Sequence, residues 1–292
     1  MKFDSQNLHK RLPISVVILT KNEEKTIGGA ILSAQSDYTE VVVLDSFSND
    51  RTVEYAKSFG ARVVKKAFQG YANQRNFALH EMKKATEWVF FLDADERISS
   101  DLTAEIRLKF NELPKKTGMF YMRRMDFFEG RWIKYSSGYP TWFGRLCHAP
   151  SVQIRREINE EYHCLRSVEH FSEHLIHFPF IKGFSNWLDR HNLYSSLEAE
   201  LKIKCKRVNL RLIFSHDSGL RRKGFKQIYM ILPLRPLIGF LYLYLIRRGF
   251  LDGKSGFRYA LLRSFYELMI SIKVDEYLKL QSSNVEFPKD IS

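Results

Sequence analysis

Two observations predict an α/β fold with a mostly parallel sheet. Four short apolar runs, rich in β-branched and aromatic residues, occur within the first hundred residues, as expected of buried strands. A segment with helical spacing follows each of them, and strands that alternate with helices form right-handed βαβ units. The first third of the chain therefore predicts one sheet with helices packed on its faces.

The four predicted strands differ in the length and continuity of their apolar runs. The runs PISVVILT at 13–20 and EVVVLD at 40–45 are nearly continuous apolar stretches. The run EWVFFLD at 87–93 is similar, whereas the third strand, at 61–65, is shorter. The predicted helices lie at 24–36, 51–59, 71–84 and 100–113, the last with Pro114 at its end.

The pattern changes beyond residue 117. Shorter strand-like pieces separated by Gly, Pro and charged residues continue to 178, and a helix is predicted at 182–202. We expect a main α/β domain over 1–200, with halves at 13–125 and 126–200, and a basic, amphipathic, helical C-terminal region over 201–292.

The net charge of +13 is concentrated in one segment. Residues 202–263 hold 15 Lys or Arg against Asp217 and Asp252, so the rest of the chain is neutral. A neutral domain with a basic C-terminal region predicts an anionic partner, either a membrane leaflet or a nucleic acid. The 45% of hydrophobic residues is ample for a sizeable core.

Cysteine usage indicates a reducing compartment. The three cysteines, Cys147, Cys164 and Cys205, are scattered and odd in number, which favours free thiols and a cytosolic protein over a disulfide framework. The first twelve residues lack an apolar core segment, so no signal peptide is predicted.

Polar clusters follow three of the predicted strands. Ligands of open α/β sheets bind beyond the carboxyl ends of the strands, so these clusters are expected to line one crevice. The clusters are Thr20-Lys21-Asn22-Glu23-Glu24, Asp45-Ser46-Phe47-Ser48-Asn49-Asp50-Arg51-Thr52 and Asp93-Ala94-Asp95-Glu96.

Helix capping is an equally good explanation for part of this polarity. Thr20 or Asn22 could cap the first helix and Asp50 the second, because such side chains commonly accept hydrogen bonds from the first backbone N–H groups of a helix. Asp45 and Asp93 are different, since each ends a strongly apolar strand, where a carboxylate is costly unless it is solvated or paired.

Asp93 and Asp95 can present two carboxylates to one site. Hard cations such as Mg²⁺ or Mn²⁺ prefer oxygen ligands and are commonly held by one or two carboxylates together with substrate phosphates. The pair therefore predicts a diphosphate–metal site. Phosphatases with an aspartyl nucleophile also carry Asp-x-Asp, but their motif continues to Thr or Val near the chain start, unlike this one.

Two nucleotide-binding classes are excluded by the first strand. No Gly-x-x-x-x-Gly-Lys-Ser/Thr loop and no Gly-x-Gly-x-x-Gly fingerprint follows it, and Gly28-Gly29 lies inside the predicted first helix. The sequence therefore does not predict a P-loop NTPase or a dinucleotide dehydrogenase.

Four segments together carry a family resemblance. They are VILTKNEE at 17–24, VLDSFSNDRT at 43–52, GYANQRNFA at 70–78 and FLDADE at 91–96. In this order and spacing they resemble the family-2 glycosyltransferases of the GT-A fold, and more narrowly bacterial enzymes that build lipopolysaccharide cores and other envelope polysaccharides. The resemblance covers 14–97 strongly and extends more weakly to about residue 275.

The resemblance implies a role for each matched position. The segment with Thr20, Asn22, Glu23 and Glu24 is expected to line the nucleotide. Asp45 is expected to bind the base, Arg75 the base or the diphosphate, and Asp93 the ribose. Asp95 is expected to bind the Mg²⁺ or Mn²⁺ that neutralises the diphosphate leaving group, the main electrostatic need of this reaction.

An inverting transfer also needs a general base for the acceptor hydroxyl. The stretch Arg156-Glu157-Ile158-Asn159-Glu160-Glu161-Tyr162 resembles the one that carries this carboxylate in the family. Glu160 is the preferred candidate, with Glu157 and Glu161 as rivals. The alternative is that these acids form a charged surface loop.

The C-terminal region predicts an interfacial rather than a spanning helix. Residues 228–246 are hydrophobic but interrupted by Pro233, Arg235 and Pro236, which leaves ten uninterrupted residues where a spanning helix needs about 20. Aromatic and cationic side chains suit headgroup depth, and 257–273 is a second amphipathic stretch. Packing as ordinary core is the alternative. Leu and Ile interleaved with the cations, and the lack of a recognised motif, argue against nucleic acid.

The sequence thus predicts a metal-dependent glycosyltransferase of the hexosyltransferase class. It would use a nucleotide-diphosphate sugar and a lipid-linked or envelope glycan acceptor, peripherally at the cytoplasmic face of the bacterial inner membrane. Two alternatives stay open: a sugar nucleotidyltransferase, which needs a Gly-rich basic loop after the first strand, and a catalytically weak, sugar-nucleotide-binding scaffold.

Overall fold

The computed structural model describes residues 11–82, 85–111, 116–155, 161–204, 210–232 and 234–282. The chain divides into two compact units. The first runs to Trp132 and resumes over Tyr139–Lys182; the second consists of Ile133–Gly138 and the chain from Gly183 onward. The expected boundary at residue 200 therefore moves to 182, because the helix that begins at Phe184 packs along the last helix of the second unit.

Parallel strands form one half of the main sheet, as predicted. β1 (Leu12–Thr20) lies between β2 (Tyr38–Asp45) and β4 (Trp88–Asp93), and β3 (Arg62–Lys65) pairs with β2 at the edge. All three pairings are parallel. The order β3-β2-β1-β4 places a topological switch point between β1 and β4, where ligands of such sheets bind.

The other half of the sheet is mixed. β8 (Trp142–His148) pairs antiparallel with β4 and with β6 (Thr117–Phe128). β11 (Ser167–His177) is parallel to β6 and antiparallel to β5 (Glu96–Ile98). Only Ala94 and Asp95 join β4 to β5, so the sheet curls until its far edge meets the end of β4.

Smaller strands and the helices of the first unit complete its architecture. β7 (Arg131–Trp132) pairs with β6, and β9 (Val152–Arg155) with β10 (Glu161–Cys164). The helices are α1 (Ile27–Leu32), α2 (Thr52–Ser58), α3 (Tyr71–Met82) and α4 (Ser100–Asn111).

α1 is shorter than the predicted helix at 24–36. It begins at Ile27 because contacts with the chain after β2 fix the conformation of the preceding backbone. The N–H groups of residues 22, 23 and 24 donate to the side chains of Ser48, Thr52 and Asp50. Thr26, the residue before the helix, makes no side-chain cap. Tertiary contacts between two loops thus replace the first turn that sequence spacing alone predicts.

The core of the first unit has two layers because both faces of the parallel strands are covered. Ile14, Val16 and Ile18 pack in one cluster, and Val17 packs in the other. This alternation explains the nearly continuous apolar runs in the sequence, since every second residue enters a different core.

The second unit is helical. It contains α5 (Phe184–Lys204), α6 (Ser218–Ile231), α7 (Arg235–Leu241) followed by a π-helical turn at 242–246, and α8 (Gly253–Ser282). α5 packs on α8 through Ala199, Ile270 and Val274. A buried Asp252 carboxylate accepts the backbone N–H groups of Lys134, Tyr135 and Ser136, which ties Ile133–Gly138 into this unit.

The stretch 228–246 does not form one helix. α6 ends at Ile231, Leu234 adopts a left-handed backbone conformation and α7 starts afresh at Arg235; Pro233 lies outside the described residues. In the part of the chain that the structure describes, none of the helices combines the length and apolarity that crossing a membrane requires.

Candidate functional site

The loops after β1 and β2 form one interlocked structure at the carboxyl edge of the sheet. Asn22 N–H donates to Ser48 Oγ (2.8 Å), and Asn49 N–H donates to Asn22 Oδ1 (2.9 Å). Glu24 N–H donates to Asp50 Oδ2 (3.2 Å), and the Glu24 carboxylate accepts from Arg51 N–H (3.1 Å). The two polar clusters predicted from the sequence therefore meet, and they brace each other.

The capping explanation holds only in part, and only for the second helix. Asp50 Oδ1 accepts the backbone N–H of Thr52 (3.0 Å), the first residue of α2, whereas the N-cap residue Arg51 makes no side-chain cap. Neither Thr20 nor Asn22 caps α1, since Thr20 donates to Asp45 and the Asn22 side chain bonds the loop after β2.

Asp45 is fully buried and bonded on both oxygens. Thr20 Oγ1 donates to Oδ1 (3.1 Å), Ser48 Oγ donates to the same oxygen (2.5 Å), and Ser48 N–H donates to Oδ2 (2.9 Å). Two carboxylate oxygens offer about four acceptor positions, so three donors leave one on Oδ2. The carboxylate that ends β2 is thus held in a single orientation.

Glu23, in the loop after β1, is held by Lys182 and Thr26. Lys182 Nζ donates to Glu23 Oε1 (2.6 Å) and to the carbonyl of Asn22 (2.9 Å), and Thr26 Oγ1 donates to Glu23 Oε2 (2.6 Å). Burial raises the pKa of the Glu23 carboxyl, and the bonds from Lys182 and Thr26 offset this only partly. Its described contacts make Glu23 a brace of the loop.

Asp93 lies between two arginines. Arg145 Nη2 donates to Oδ2 (2.6 Å), and Arg75 Nη2 donates to Oδ1 (3.3 Å). Burial raises the pKa of the Asp93 carboxyl, but the Arg145 and Arg75 charges outweigh burial and bring it to about 2. About a third of the Asp93 side chain stays exposed, so an ionised, oriented carboxylate faces the crevice.

Arg75, expected to approach the base or the diphosphate, contacts Asp93 in this structure. It is buried on α3, its guanidinium lies over the ring of Phe91 (4.9 Å), and it pairs with Asp93. Its described contacts position the acid expected to meet the ribose. A direct approach of Arg75 to base or diphosphate stays a prediction.

A third acid completes this cluster. Glu96 is fully buried, its Oε2 accepts the backbone N–H of Asp93 (3.1 Å), and its Oε1 accepts from Arg145 Nη2 (2.6 Å). Burial raises the pKa of Glu96, and the nearby Arg145 charge offsets part of this effect. The single guanidinium of Arg145 thus serves both acids that flank the Ala94-Asp95 turn.

Asp95 faces His177, the last residue of β11. His177 Nε2 lies 3.5 Å from Asp95 Oδ2, and His177 Nδ1 lies 2.6 Å from Asp126 Oδ1. Burial and the Arg124 charge lower the pKa of His177. The hydrogen bonds to Asp126 and Asp95 raise it by more, so the pKa lies above its usual value. Asp126 thus orients the ring so that Nε2 points towards Asp95.

The Asp95 carboxylate and the His177 imidazole suit a divalent cation that takes its other ligands from the substrate. Within the described ranges, no group of three or more His, Cys, Asp or Glu side chains could hold a metal by itself. Two atoms that bind one ion at about 2.1 Å lie roughly 3–3.5 Å apart, which is the spacing of Asp95 and His177. The protein can therefore offer one carboxylate and one imidazole.

The preferred general base, Glu160, and its rival Glu157 lie outside the described residues, so their assignment stays a prediction. The rival Glu161 is exposed on β10, at the position that pairs with Arg155 on β9.

Three site residues were missed: Arg145 on β8, Asp126 on β6 and His177 at the end of β11. Each is a charged or polar residue within or at the end of a strand, which is the signal that singled out Asp45 and Asp93. These strands lie in the part of the chain where the apolar pattern is weak. A polar residue does not stand out there, because the strands themselves are hard to recognise from the sequence.

Comparison with known proteins finds a family match and two similar relatives. Residues 15–173 match the family described as glycosyl transferase family 2. An uncharacterized glycosyltransferase of Rickettsia typhi is 30% identical over 93% of this chain and 89% of its own length, and one of Rickettsia prowazekii is 29% identical over the same shares.

A solved structure resembles part of the chain. Glucosyl-3-phosphoglycerate synthase from Mycobacterium tuberculosis, in complex with Mn²⁺, uridine diphosphate and glucosyl-3-phosphoglycerate, is 24% identical. The likeness covers 42% of this chain and 46% of that chain, with a TM-score of 0.33.

Proposed function

Because the chain belongs to glycosyl transferase family 2, and is a glycosyltransferase, we propose that it transfers a sugar from a nucleotide-diphosphate sugar with the help of Mg²⁺ or Mn²⁺. The observation that carries the proposal is the arrangement around the Ala94-Asp95 turn. Asp93 is held ionised between Arg145 and Arg75, and Asp95 faces His177.

The donor nucleotide is assigned to the carboxyl edge of β1, β2 and β4. The loop with Thr20, Asn22, Glu23 and Glu24 borders it, and Asp45 and Asp93 offer fixed carboxylates to the base and the ribose. A fixed acceptor discriminates well, because a ligand group that cannot donate to it leaves a buried polar atom unpaired. The bracing of Asp45 by Thr20 and Ser48 supports this role.

Asp95 and His177 would hold the cation. When bound, the cation stabilises the negative charge that develops on the leaving diphosphate. Asp126 fixes the His177 ring, and Arg145 fixes the acids on either side of Asp95. These residues keep the ligands in place before substrate arrives, which is how preorganised sites favour a charged transition state.

An inverting transfer is proposed for the sugar, with Glu160 as the base that takes the acceptor proton. The test is a set of three single substitutions, Glu157→Gln, Glu160→Gln and Glu161→Gln. Loss of transfer with retained donor binding is expected for Glu160→Gln alone. The same loss in another member of the set would move the role to that residue.

For the acceptor, we propose a lipid-linked or envelope glycan, as in lipopolysaccharide assembly, reached from the cytoplasmic face of the bacterial inner membrane. The support is the surface of the second unit. α7 and the following turn expose Leu237, Leu241 and Leu245 at a spacing of four. α8 exposes an apolar stripe at helical spacing, made of Phe257, Leu261, Phe265, Leu268 and Ile272.

An anionic bilayer suits this surface better than a second copy of the chain. Two copies would bring together two segments that each carry 15 Lys or Arg against two aspartates, whereas an anionic leaflet attracts them. Amphipathic helices with exposed apolar faces and flanking cations lie in the interface plane.

The deciding experiment is donor turnover. The protein in detergent, with Mn²⁺ or Mg²⁺, is given UDP-, GDP-, ADP- and dTDP-sugars, and released nucleoside diphosphate is measured. Metal-dependent release from one donor is expected, with loss in Asp95→Ala. Donor binding without turnover, even with lipid extract as acceptor, would favour the scaffold; pyrophosphate release from a nucleoside triphosphate and a sugar phosphate would favour a nucleotidyltransferase.

A further inference from the structure

Phe47, in the loop after β2, combines a strained backbone conformation with an exposed aromatic side chain. Its backbone has φ of +59°, in the left-handed region that bulky residues rarely adopt. Its side chain is nevertheless 51% exposed, so the strained conformation does not serve core packing. Strain that persists at a bulky exposed residue is a feature of functional loops.

The conformation is held by a neighbouring side chain. Lys21 Nζ donates to the carbonyl oxygens of Phe47 (2.6 Å) and Ser46 (3.1 Å). The lysine follows β1 and the phenylalanine follows β2, so the interlocked loops fix the direction in which the ring leaves the backbone. Lys65 Nζ lies 6.0 Å from the ring centroid of Phe47.

A buried glutamine brings further aromatic residues to the same edge. Gln74 Nε2 lies within hydrogen-bond distance of Ser46 Oγ (3.0 Å) and of the carbonyl of Ala67 (3.3 Å). Phe47 and Phe68 are each the next residue along the chain from those partners. Phe68 is 53% exposed and makes an edge-to-face contact with Tyr71, which is 42% exposed.

We propose that Phe47 forms a stacking platform for the nucleobase of the donor, with Phe68 and Tyr71 beside it. The assignment rests on the proposed function and specifies its base subsite. The ring lies two residues after Asp45, the acid assigned to the base. A planar heterocycle can stack on such a ring. The exposed Lys21 and Lys65 suit the negative charge of a nucleoside diphosphate, whereas an uncharged lipid tail would gain nothing from them.

The test separates the base from the diphosphate. Wild type, Phe47→Gly and Phe47→Trp are titrated by calorimetry in Mn²⁺ with UDP, GDP, ADP and dTDP, and with pyrophosphate, which has no base. Stacking on an aromatic ring is worth about tenfold or more in affinity. We expect Phe47→Gly to bind the preferred nucleotide about tenfold more weakly, pyrophosphate as wild type does, and Phe47→Trp to retain nucleotide affinity.

Folding is monitored in the same variants. Glycine adopts positive φ without steric cost, so Phe47→Gly is expected to keep its thermal midpoint. The matched control is Glu129→Gly, which relieves a similar φ of +51° in the turn between β6 and β7 and is expected to bind nucleotide as wild type does.

Unchanged nucleotide affinity in Phe47→Gly would overturn the platform, and so would an equal loss of pyrophosphate affinity. Failure of the wild type to bind any nucleotide would instead overturn the proposed function and the platform with it. The two failures are therefore distinguishable from the wild-type titration alone.

Discussion

Arg145 Nη2 lies 2.6 Å from Asp93 Oδ2, and this contact joins the middle of β8 to the end of β4. The same nitrogen lies 2.6 Å from Glu96 Oε1. One guanidinium therefore holds the two acids on either side of the turn that carries Asp95.

Arg145→Ala is expected to destabilise the protein by about 3–5 kcal/mol, because it leaves the buried Glu96 and the largely buried Asp93 without their shared partner. Urea unfolding measures the change. The control is Arg51→Ala, which removes an exposed ion pair with Glu54 and is expected to have no measurable effect. Similar unfolding curves for the two variants would contradict the role given to Arg145.

Asp126→Asn is expected to weaken cation binding by about 10–100-fold, the usual cost of losing the partner that orients a metal-binding histidine. The carboxylate at 2.6 Å from His177 Nδ1 fixes which ring nitrogen faces Asp95. Electron paramagnetic resonance with Mn²⁺ and pyrophosphate measures the affinity. Asp101→Asn, at an exposed acid on α4, serves as the control. Equal affinities in both variants would remove Asp126 from the site.

Acid is expected to destabilise the second unit through His191. Burial lowers the pKa of this imidazole to about 4; its ring stacks on Trp187 (3.7 Å between centroids). The unfolded chain takes up the proton near pH 6.5 and the folded one only near pH 4, so stability present above pH 6.5 is lost as pH falls across this window. Allowing for partial exposure, the loss is on the order of 1–2 kcal/mol.

The measurement is the thermal midpoint between pH 7.5 and 4.5 for wild type, His191→Phe and His80→Gln, the last at an exposed histidine on α3. His191→Phe is expected to reduce the dependence on pH, and His80→Gln to leave it unchanged. A wild-type slope that survives in His191→Phe would assign the effect to another group.

Leu241→Glu/Leu245→Glu is expected to abolish binding to vesicles that contain phosphatidylglycerol, because two exposed apolar side chains become acids on the face proposed to meet the leaflet. Sedimentation with such vesicles, and with neutral phosphatidylcholine vesicles, measures it. Leu108→Glu, at an exposed leucine on α4, is the control. A wild-type dimer that the double variant disrupts, with no vesicle binding, would identify a second copy as the partner.

Much of this fold follows from local sequence, and the physical reason is burial on both faces. β1, β2 and β4 lie close to the predicted strands because most residues of such a strand are buried, alternately in one of two cores. Asp45, Asp93 and Asp95 were found in the same way, as acids at the ends of those runs.

The rest depends on pairings that sequence spacing does not encode. Arg145 and His177 reach Asp93 and Asp95 only because β8 pairs with β4 and because the curled sheet returns β11 and β5 to the end of β4. Helix α1 is similar: its spacing predicts a start at residue 24, but the backbone there bonds the next loop, so it begins at Ile27. Contacts between distant segments decided both outcomes.

The insertion of Ile133–Gly138 into the second unit limits how this chain can be divided. A chain cut after Lys182 keeps the backbone N–H groups of Lys134, Tyr135 and Ser136 but loses the Asp252 carboxylate that accepts them. Neither unit can therefore be exchanged between relatives as a continuous module, because recombination at one junction separates a loop from its anchor. The two units are expected to be inherited, and to vary, together.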